Sequence, residues 1–526
     1  MRSLDGRVVA FIDIGTNSLR LLLVRINPNQ SYTVLSDQKE VVRLGEGEFV
    51  EQRLQPEAMQ RALLVARKFA EMARQNGAEE IMAVATSATR EAENRSDFLR
   101  QLKRDAQLDV HTISGREEAR LIYLGVSSGV HLGDKKALFI DIGGGSTELI
   151  VGDQAGFDYL DSLKLGAIRL TSLFFLPDES GPVPPERYAL LQQYVRNTAV
   201  RSVQAVGKYP LDFAIGSSGT IENLADITAL KFLKRRRLRE DAFQYEQLRQ
   251  VVDMLSALPL DERRRVPGIN PNRADIIVPG AAIIETLMHD LGIQELRVSD
   301  RGLRDGLLAD YLSRHADTAV LQETSVRARS VLHLGRLCNF DEDHARHVAH
   351  LALELFDGAA QTGLHRFSDA ERELLEYSAL IHDVGMFLSY SNHQEHSYYL
   401  IRNADLLGFD QRETAIMANA ALFHRKAMPN KKKHPEFAAL DRRTQKVVEL
   451  FALLLRIAES LDRSHTNVVQ DVRLRRLQSG EIALEIHGKG DCQLEIWGVQ
   501  SHAEDFADVF GRKMVIETVL QDDQDF

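Results

Sequence analysis

One pattern, written twice, constrains this chain more than anything else in it. Residues 8–23 read VVAFIDIGTNSLRLLL: an apolar run ends in Asp13, Ile14, Gly15, Thr16, Asn17 and Ser18, then resumes past Leu19 and Arg20. Residues 137–151, ALFIDIGGGSTELIV, repeat it with Asp141, Gly143, Gly144, Gly145, Ser146 and Thr147, 128 residues after the first aspartate. A strand that only fills a core has no use for a carboxylate and small hydroxyl residues at its tip. A strand–turn–strand of this kind exposes successive backbone N–H groups, which form an anion-binding concavity. Glycine lets the backbone come close to the anion, and an aspartate at the strand end suits Mg²⁺, which prefers oxygen ligands. Either hairpin alone also reads as a glycine-rich turn with a capping aspartate. The pair, in matching halves, reads as two jaws on one phosphate group.

The surroundings agree with a doubled α/β fold. The pattern predicts helices over 57–76, 95–107 and 115–125 and a buried strand over 81–86 (IMAVAT). Strands alternating with helices argue for layered α/β structure. After LGDKK (132–136) the pattern restarts. A proline-rich turn (PDESGPVPPE, 177–186), a helix, the strand FAIGS and further helices carry it to about 312. FAIGSSGTIENL (213–224) is a third candidate phosphate turn. Gly216, Ser217, Ser218, Gly219 and Thr220 lie between a strand and a helix, where amides and the helix start favour an anion.

From about 316 strand signals vanish and amphipathic helices follow to about 465, with histidines concentrated among them. Residues 468–526 turn mixed again. SGE reads as a hairpin turn and GKGD as another. The organisation expected is therefore 1–127 and 128–312 as two α/β domains forming a cleft, 316–466 as an all-α domain, and 467–526 as a small α+β domain. At 526 residues several cores are needed.

The net charge of −11 argues against nucleic acid or anionic membrane as partner. An anionic substrate must therefore meet local cations. Two cysteines, Cys338 and Cys492, and no apolar run near 18 residues, read as a cytoplasmic protein.

The two DIG hairpins and the GSSGT turn resemble the actin, sugar kinase and Hsp70 superfamily. ATSATREAEN (85–94), ISGREEARLIYLGV (113–126), SLKLGAIRLT (162–171) and VSDRGLRDGLL (298–308) narrow this. Together the motifs resemble the exopolyphosphatase and guanosine pentaphosphate phosphohydrolase family. The resemblance implies actin-like (ribonuclease H-like) domains, Mg²⁺, a homodimer, and inorganic polyphosphate or guanosine pentaphosphate as substrate. It carries the catalytic glutamate onto Glu118, with Glu117 turned away, because helical neighbours lie about 100° apart. It makes Asp141, Glu148 and Asp13 metal candidates and Arg90 a phosphate clamp, since a guanidinium fork matches phosphate. A kinase would need an adenosine pocket; the Glu118 motif favours water as acceptor. A sensor with a degenerate site is the non-enzymatic alternative.

His344, the pair His382–Asp383, and Asp462, each in a helical pattern, resemble the HD metal-dependent phosphohydrolase domain. The resemblance implies a further divalent metal there, which His393, His396 and His424 would extend to a second ion. Arg425, Lys426, Lys431, Lys432 and Lys433 form a basic stretch that reads either as a solvated face or as a track for a long polyanion. Lys234–Arg237 and Arg263–Arg265 are further basic runs.

Overall fold

The computed structural model describes residues 6–27, 31–177, 179–239, 241–315 and 325–521. The chain divides into two compact units, Met1–Glu323 and Thr324–Phe526. Residues 316–324, where the helical region was expected to begin, lie outside the described residues, as does Asp178 in the proline-rich turn.

The first unit contains the same sheet twice. β1 (Arg7–Ile14), β2 (Ser18–Ile26), β3 (Tyr32–Val41), β4 (Glu80–Ala85) and β5 (Val110–Thr112) lie in the order β3-β2-β1-β4-β5. The first three pair antiparallel, and β4 and β5 join in parallel. The second sheet has β6 (Ala137–Ile142), β7 (Thr147–Gly152), β8 (Phe157–Leu163), β9 (Phe213–Ser217), β10 (Ala242–Gln244) and β11 (Glu295–Val298). Its order β10-β11-β9-β6-β7-β8, read from the β8 end, repeats the first with β10 added antiparallel at the edge. This is the doubled actin-like pattern. Every residue of β6 and β7 is buried, which is why these strands read as unbroken apolar runs rather than alternating ones.

Helices fall close to expectation. Pro56–Gln75 starts with proline, whose fixed φ suits a first helical position. Arg95–Gln101 continues as a π-helical turn over Leu102–Ala106. Gly115–Ser127 is capped by Ser114, whose hydroxyl accepts from the Glu117 N–H. That helix runs against Leu303–His315 with backbone in contact. A Cβ on Gly125 would lie 2.1 Å from the Gly302 carbonyl, and one on Gly306 would lie 1.8 Å from the Leu121 carbonyl. Only glycine permits such an approach.

Side chains tie the halves together. Arg43 forks onto Asp275 at 2.6 and 2.9 Å, and Arg169 joins Glu91 at 2.7 Å and the Gly145 carbonyl at 2.7 Å.

The second unit packs Val326–Leu337, Glu342–Gln361, Asp369–Leu380, His393–Asn403, Gln411–Phe423 and Arg442–Leu461 around one core. β12 (Val469–Arg476), β13 (Ile482–Lys489) and β14 (Met514–Gln521) form a sheet whose Val472, Leu484 and Ile486 enter that same core. The described part of the segment 467–526, expected as a domain of its own, therefore shares its hydrophobic centre with the helices. SGE is the β12–β13 hairpin turn, but GKGD leads into the helix Gln493–Gln500. β13 already has β12 on one side and the parallel β14 on the other, so QLEIWG has no sheet edge there to join.

Among the described residues no helix is long and apolar enough to cross a membrane. Both cysteines are free and buried.

Candidate active site

The two DIG hairpins are built alike. In each, the glycine N–H after Asp-Ile donates across the turn to a serine carbonyl: Gly15 to Ser18 at 3.2 Å, and Gly143 to Ser146 at 3.0 Å. Their tips meet. A Cβ on Gly144 would lie 3.0 Å from the Thr16 Cβ and 3.3 Å from the Asn17 nitrogen. The cleft they border is open to solvent and encloses about 830 Å³ including its mouth.

Asp13, Gly15, Thr16, Asn17, Ser18, Arg20, Glu118, Asp141, Gly143, Gly144, Gly145, Ser146 and Ser218 all line it. Asn17 is buried, and neither of its amide atoms has a hydrogen-bond partner among the described residues; the same holds for Asp13 Oδ1. Such atoms are free to meet a ligand, since buried polar groups are usually paired.

The carboxylates are crowded. Burial lifts Asp13 to about 6, against the pull of Arg20 and Arg304 and with a further push from Asp141. Burial lifts Asp141 to about 6 as well, opposed by Ser217 and Arg20. Glu118 rises to about 7 through burial, opposed by Arg90 and raised further by Asp13 and Asp141. Glu117, one position earlier, turns out to Arg120 at 2.7 Å, so the helix aims only Glu118 into the cleft.

Several expected phosphate contacts are spent elsewhere. Arg90 does not line the cleft; its guanidinium donates to Glu118 at 2.8 Å and to the Ile113 carbonyl at 3.1 Å. Thr147 is buried and donates to the Leu165 carbonyl. Ser217 donates to Asp141 at 2.5 Å, fixing that carboxylate. Gly216 and Thr220 lie inside the fold, and Gly219 backs onto Arg273. Of GSSGT only Ser218 reaches the cleft, at φ +77°, a left-handed conformation costly for a residue with a side chain, with its hydroxyl on the Ile142 carbonyl. Glu148, opposite Asp141 in the β6–β7 register, is buried behind the cleft and accepts from Ser162. Burial and the neighbouring Glu118 and Asp141 hold it well above the carboxylate range.

Other lining residues lie in motifs that assign them no role, or in none at all. Arg273, Arg301, Arg304, Glu222 and Asp300 come from distant segments. Arg273 is buried and its guanidinium makes no hydrogen bond or ion pair among the described residues, while Arg304 is held by Asp37. The motif VSDRGLRDGLL contained two of these arginines without assigning them a role. Nothing local marks Arg273.

In the second unit, His344, His382, Asp383 and Glu459 bring ligand atoms together, and Asp383, His393 and His424 form an adjoining set. Asp462, expected as a ligand, stands behind His344 at 2.7 Å instead, and Glu459, three residues earlier, takes its place. His396 belongs to neither set. Lys431, Lys432 and Lys433 are exposed, as are Arg425 and Lys426. The other basic runs are only partly free surfaces. Arg235 and Arg237 pair with Asp241 and Asp226, and Arg263 is buried on the Leu255 and Leu258 carbonyls.

Comparison with known proteins places this architecture. Residues 22–315 match the model of the Ppx/GppA phosphatase family, and residues 326–493 match Ppx/GppA phosphatase, domain III. Among solved structures, an exopolyphosphatase from Cytophaga hutchinsonii is 27% identical with a TM-score of 0.55, covering 59% of this chain and 98% of its own. An exopolyphosphatase-like protein is 28% identical with a TM-score of 0.53, covering 59% and 99%. An Aquifex aeolicus member of the Ppx/GppA family is 28% identical with a TM-score of 0.49, covering 59% and 99%. Because the larger family match alone spans more than half of the chain, the protein belongs to the Ppx/GppA phosphatase family.

Proposed function

We propose that the cleft hydrolyses a terminal phosphoanhydride, releasing orthophosphate from inorganic polyphosphate. The observation that carries this is the convergence of both glycine hairpins, Arg20, Arg273 and Arg304 on the cleft that holds Glu118.

The terminal phosphate sits against the hairpin amides, which approach closely because Gly15, Gly143 and Gly144 carry no side chain. Arg20, Arg273 and Arg304 hold the phosphate oxygens. Glu118 accepts a proton from the attacking water, and a base with a proton affinity near neutrality suits that task. Arg90 keeps the Glu118 carboxylate in place.

Asp13 and Asp141 fit Mg²⁺. Both offer only oxygen, both hold protons more tightly than exposed aspartates, and Asp13 Oδ1 has no donor. Bound there, Mg²⁺ would supply the positive charge that offsets the phosphoryl oxygens.

Polyphosphate is favoured over guanosine pentaphosphate by the lining itself. Among the described residues it contains no aromatic ring on which a purine would stack. The similarity to an exopolyphosphatase supports the same choice. Orthophosphate release is to be measured side by side on long polyphosphate, tripolyphosphate and guanosine pentaphosphate. Fastest release from long polyphosphate is expected. Faster release from guanosine pentaphosphate would replace the substrate, and binding without release from any of the three would make the protein a sensor.

A further inference from the structure

Strand β3 carries an unpaired cation beside the cleft. The ladder sets Lys39 directly opposite Arg20, and opposite residues of an antiparallel pair point to the same face. Arg20 lines the cleft, so Lys39 stands at its rim. Two positions along β3 on that face, Asp37 stands opposite Leu22 and is taken by Arg304. Glu40, the next residue, points to the other face and joins Lys68 at 3.5 Å. Lys39 is exposed, and its ammonium makes no hydrogen bond or ion pair among the described residues.

The charges around that ammonium are mostly of its own sign. Arg20 on β2, Arg273 at the end of the turn Pro271–Arg273 and Arg304 in the first turn of Leu303–His315 repel it, while Glu222 of the helix Ser218–Thr228 attracts it. All four of these neighbours line the cleft. Partial burial, then Arg20 and Arg273, bring the ammonium down to about 8, with Glu222 opposing and Arg304 adding a little. Setting Asp37 and Glu222 against Lys39, Arg20, Arg273 and Arg304 still leaves an excess of positive charge at this rim. Like charges held this close repel unless an anion stands among them.

Lys39 is not among the residues that line the cleft at the hairpin tips. Its place is farther out. β2 leaves the first hairpin at Ser18, Arg20 follows two positions later, and Lys39 lies beside Arg20 on the next strand. We propose that Lys39 holds a phosphate behind the one being cleaved, so that the cleft recognises a chain and not a single phosphate. The inference rests on the polyphosphate reading, in which the terminal phosphate sits at the hairpins and every phosphate behind it carries negative charge. A lysine suits this place. Its ammonium is a compact charge with rotatable donors on a flexible stem, so it can follow a passing chain without demanding the fixed fork geometry of a guanidinium.

The test measures binding by calorimetry, on the full chain in millimolar Mg²⁺, with Glu118→Gln as the parent so that substrate is held without turnover. Tripolyphosphate and orthophosphate are titrated into the parent and into the same protein carrying Lys39→Gln or Lys39→Arg. Lys39→Gln should weaken tripolyphosphate by about 10-fold, the lower end for a charge-assisted contact. Orthophosphate, which reaches only the hairpin tips, should bind it almost as it binds the parent. Lys39→Arg keeps the charge and should hold tripolyphosphate close to the parent. Across roughly pH 7 to 9 the parent should lose tripolyphosphate affinity as the Lys39 ammonium gives up its proton near 8, and neither Lys39 variant should share that fall. Equal tripolyphosphate affinity in the parent and Lys39→Gln, an equal loss for orthophosphate, or the same loss in Lys39→Arg overturns the role of Lys39 and leaves the polyphosphate reading standing. Tripolyphosphate that binds none of these proteins overturns both.

Discussion

The cleft of the first unit and the histidine cluster of the second both bury carboxylates, and their protons behave in opposite ways. In the cleft, Asp13, Asp141 and Glu118 are pushed up, because burial and mutual repulsion outweigh the nearby arginines. In the cluster, burial also pushes Asp383 and Glu459 up. There His382, His393 and His424 around Asp383, and His344 and His382 on Glu459, overcome it and hold both below the carboxylate range. The carboxylates of the cleft thus stay crowded despite the arginines that line it. The cluster brings its own nitrogen partners. Donor chemistry, more than burial, separates the carboxylates of the cleft from the histidine-lined carboxylates of the cluster.

The contrast can be broken at the carboxylates first. Asp13→Asn/Asp141→Asn should lower orthophosphate release by about 10²- to 10³-fold, the scale of losing a main source of transition-state charge stabilisation. It should also raise the Mg²⁺ concentration needed for half-maximal rate. An unchanged Mg²⁺ dependence removes both aspartates from the metal.

Arg273→Leu sharpens it next. This buried, unpaired guanidinium should contribute a charge-assisted contact of about 1.5–3 kcal/mol, so KM for polyphosphate should rise about 10- to 100-fold with a smaller change in kcat. If KM stays put, Arg273 only packs against Gly219.

The proton balance gives a smaller effect. Asp13, Asp141 and Glu118 hold protons at about 6, 6 and 7 when folded, against 3.8, 3.8 and 4.5 as ordinary values. Between these limits the folded state binds more protons than the unfolded one, so these groups make stability fall as pH rises through roughly 4 to 7. The Tm of metal-free protein should drop by a few degrees across that window, about the effect of 1 kcal/mol or more. Mg²⁺ should restore more of it at the upper end than at the lower. In Asp13→Asn/Asp141→Asn both trends should shrink; full persistence of both would assign them to other groups.

The smallest effect concerns the exposed lysines. Lys431→Glu/Lys432→Glu/Lys433→Glu should raise KM for long polyphosphate by roughly several-fold and leave tripolyphosphate unchanged. The difference should fade with salt, since exposed charges are screened over about 8–10 Å. Equal effects on both substrates would make this run a solvated face.

The hairpins were legible because an aspartate, glycines and hydroxyls at a strand tip have a local reason to stand together. Their sheets followed from apolar runs. What was not legible depends on direction. Thr147, Ser217 and Thr220 carry the right hydroxyls, but the fold turns them inward, and Ser217 serves Asp141 rather than phosphate. Glu459 and Asp462 are three residues apart at the end of one helical run, and spacing does not say which one meets the Nε2 atoms and which one backs His344. Arg273 reaches the cleft from a single 3₁₀ turn, Pro271–Arg273, remote from every motif. QLEIWG reads as either helix or strand over six residues, and occupancy of both β13 edges decided it.

The central claim is that one carboxylate of the pair Glu117–Glu118 performs the chemistry of the cleft. Orthophosphate release from long polyphosphate should be compared in Glu118→Gln and Glu117→Gln, with polyphosphate binding measured alongside. Glu118→Gln should lose about 10²- to 10⁴-fold in rate, the usual scale for removing a general base, and still bind substrate. Glu117→Gln, which loses only its tie to Arg120, should turn over close to wild type. Near-normal turnover in Glu118→Gln, or the larger loss in Glu117→Gln, would contradict the account.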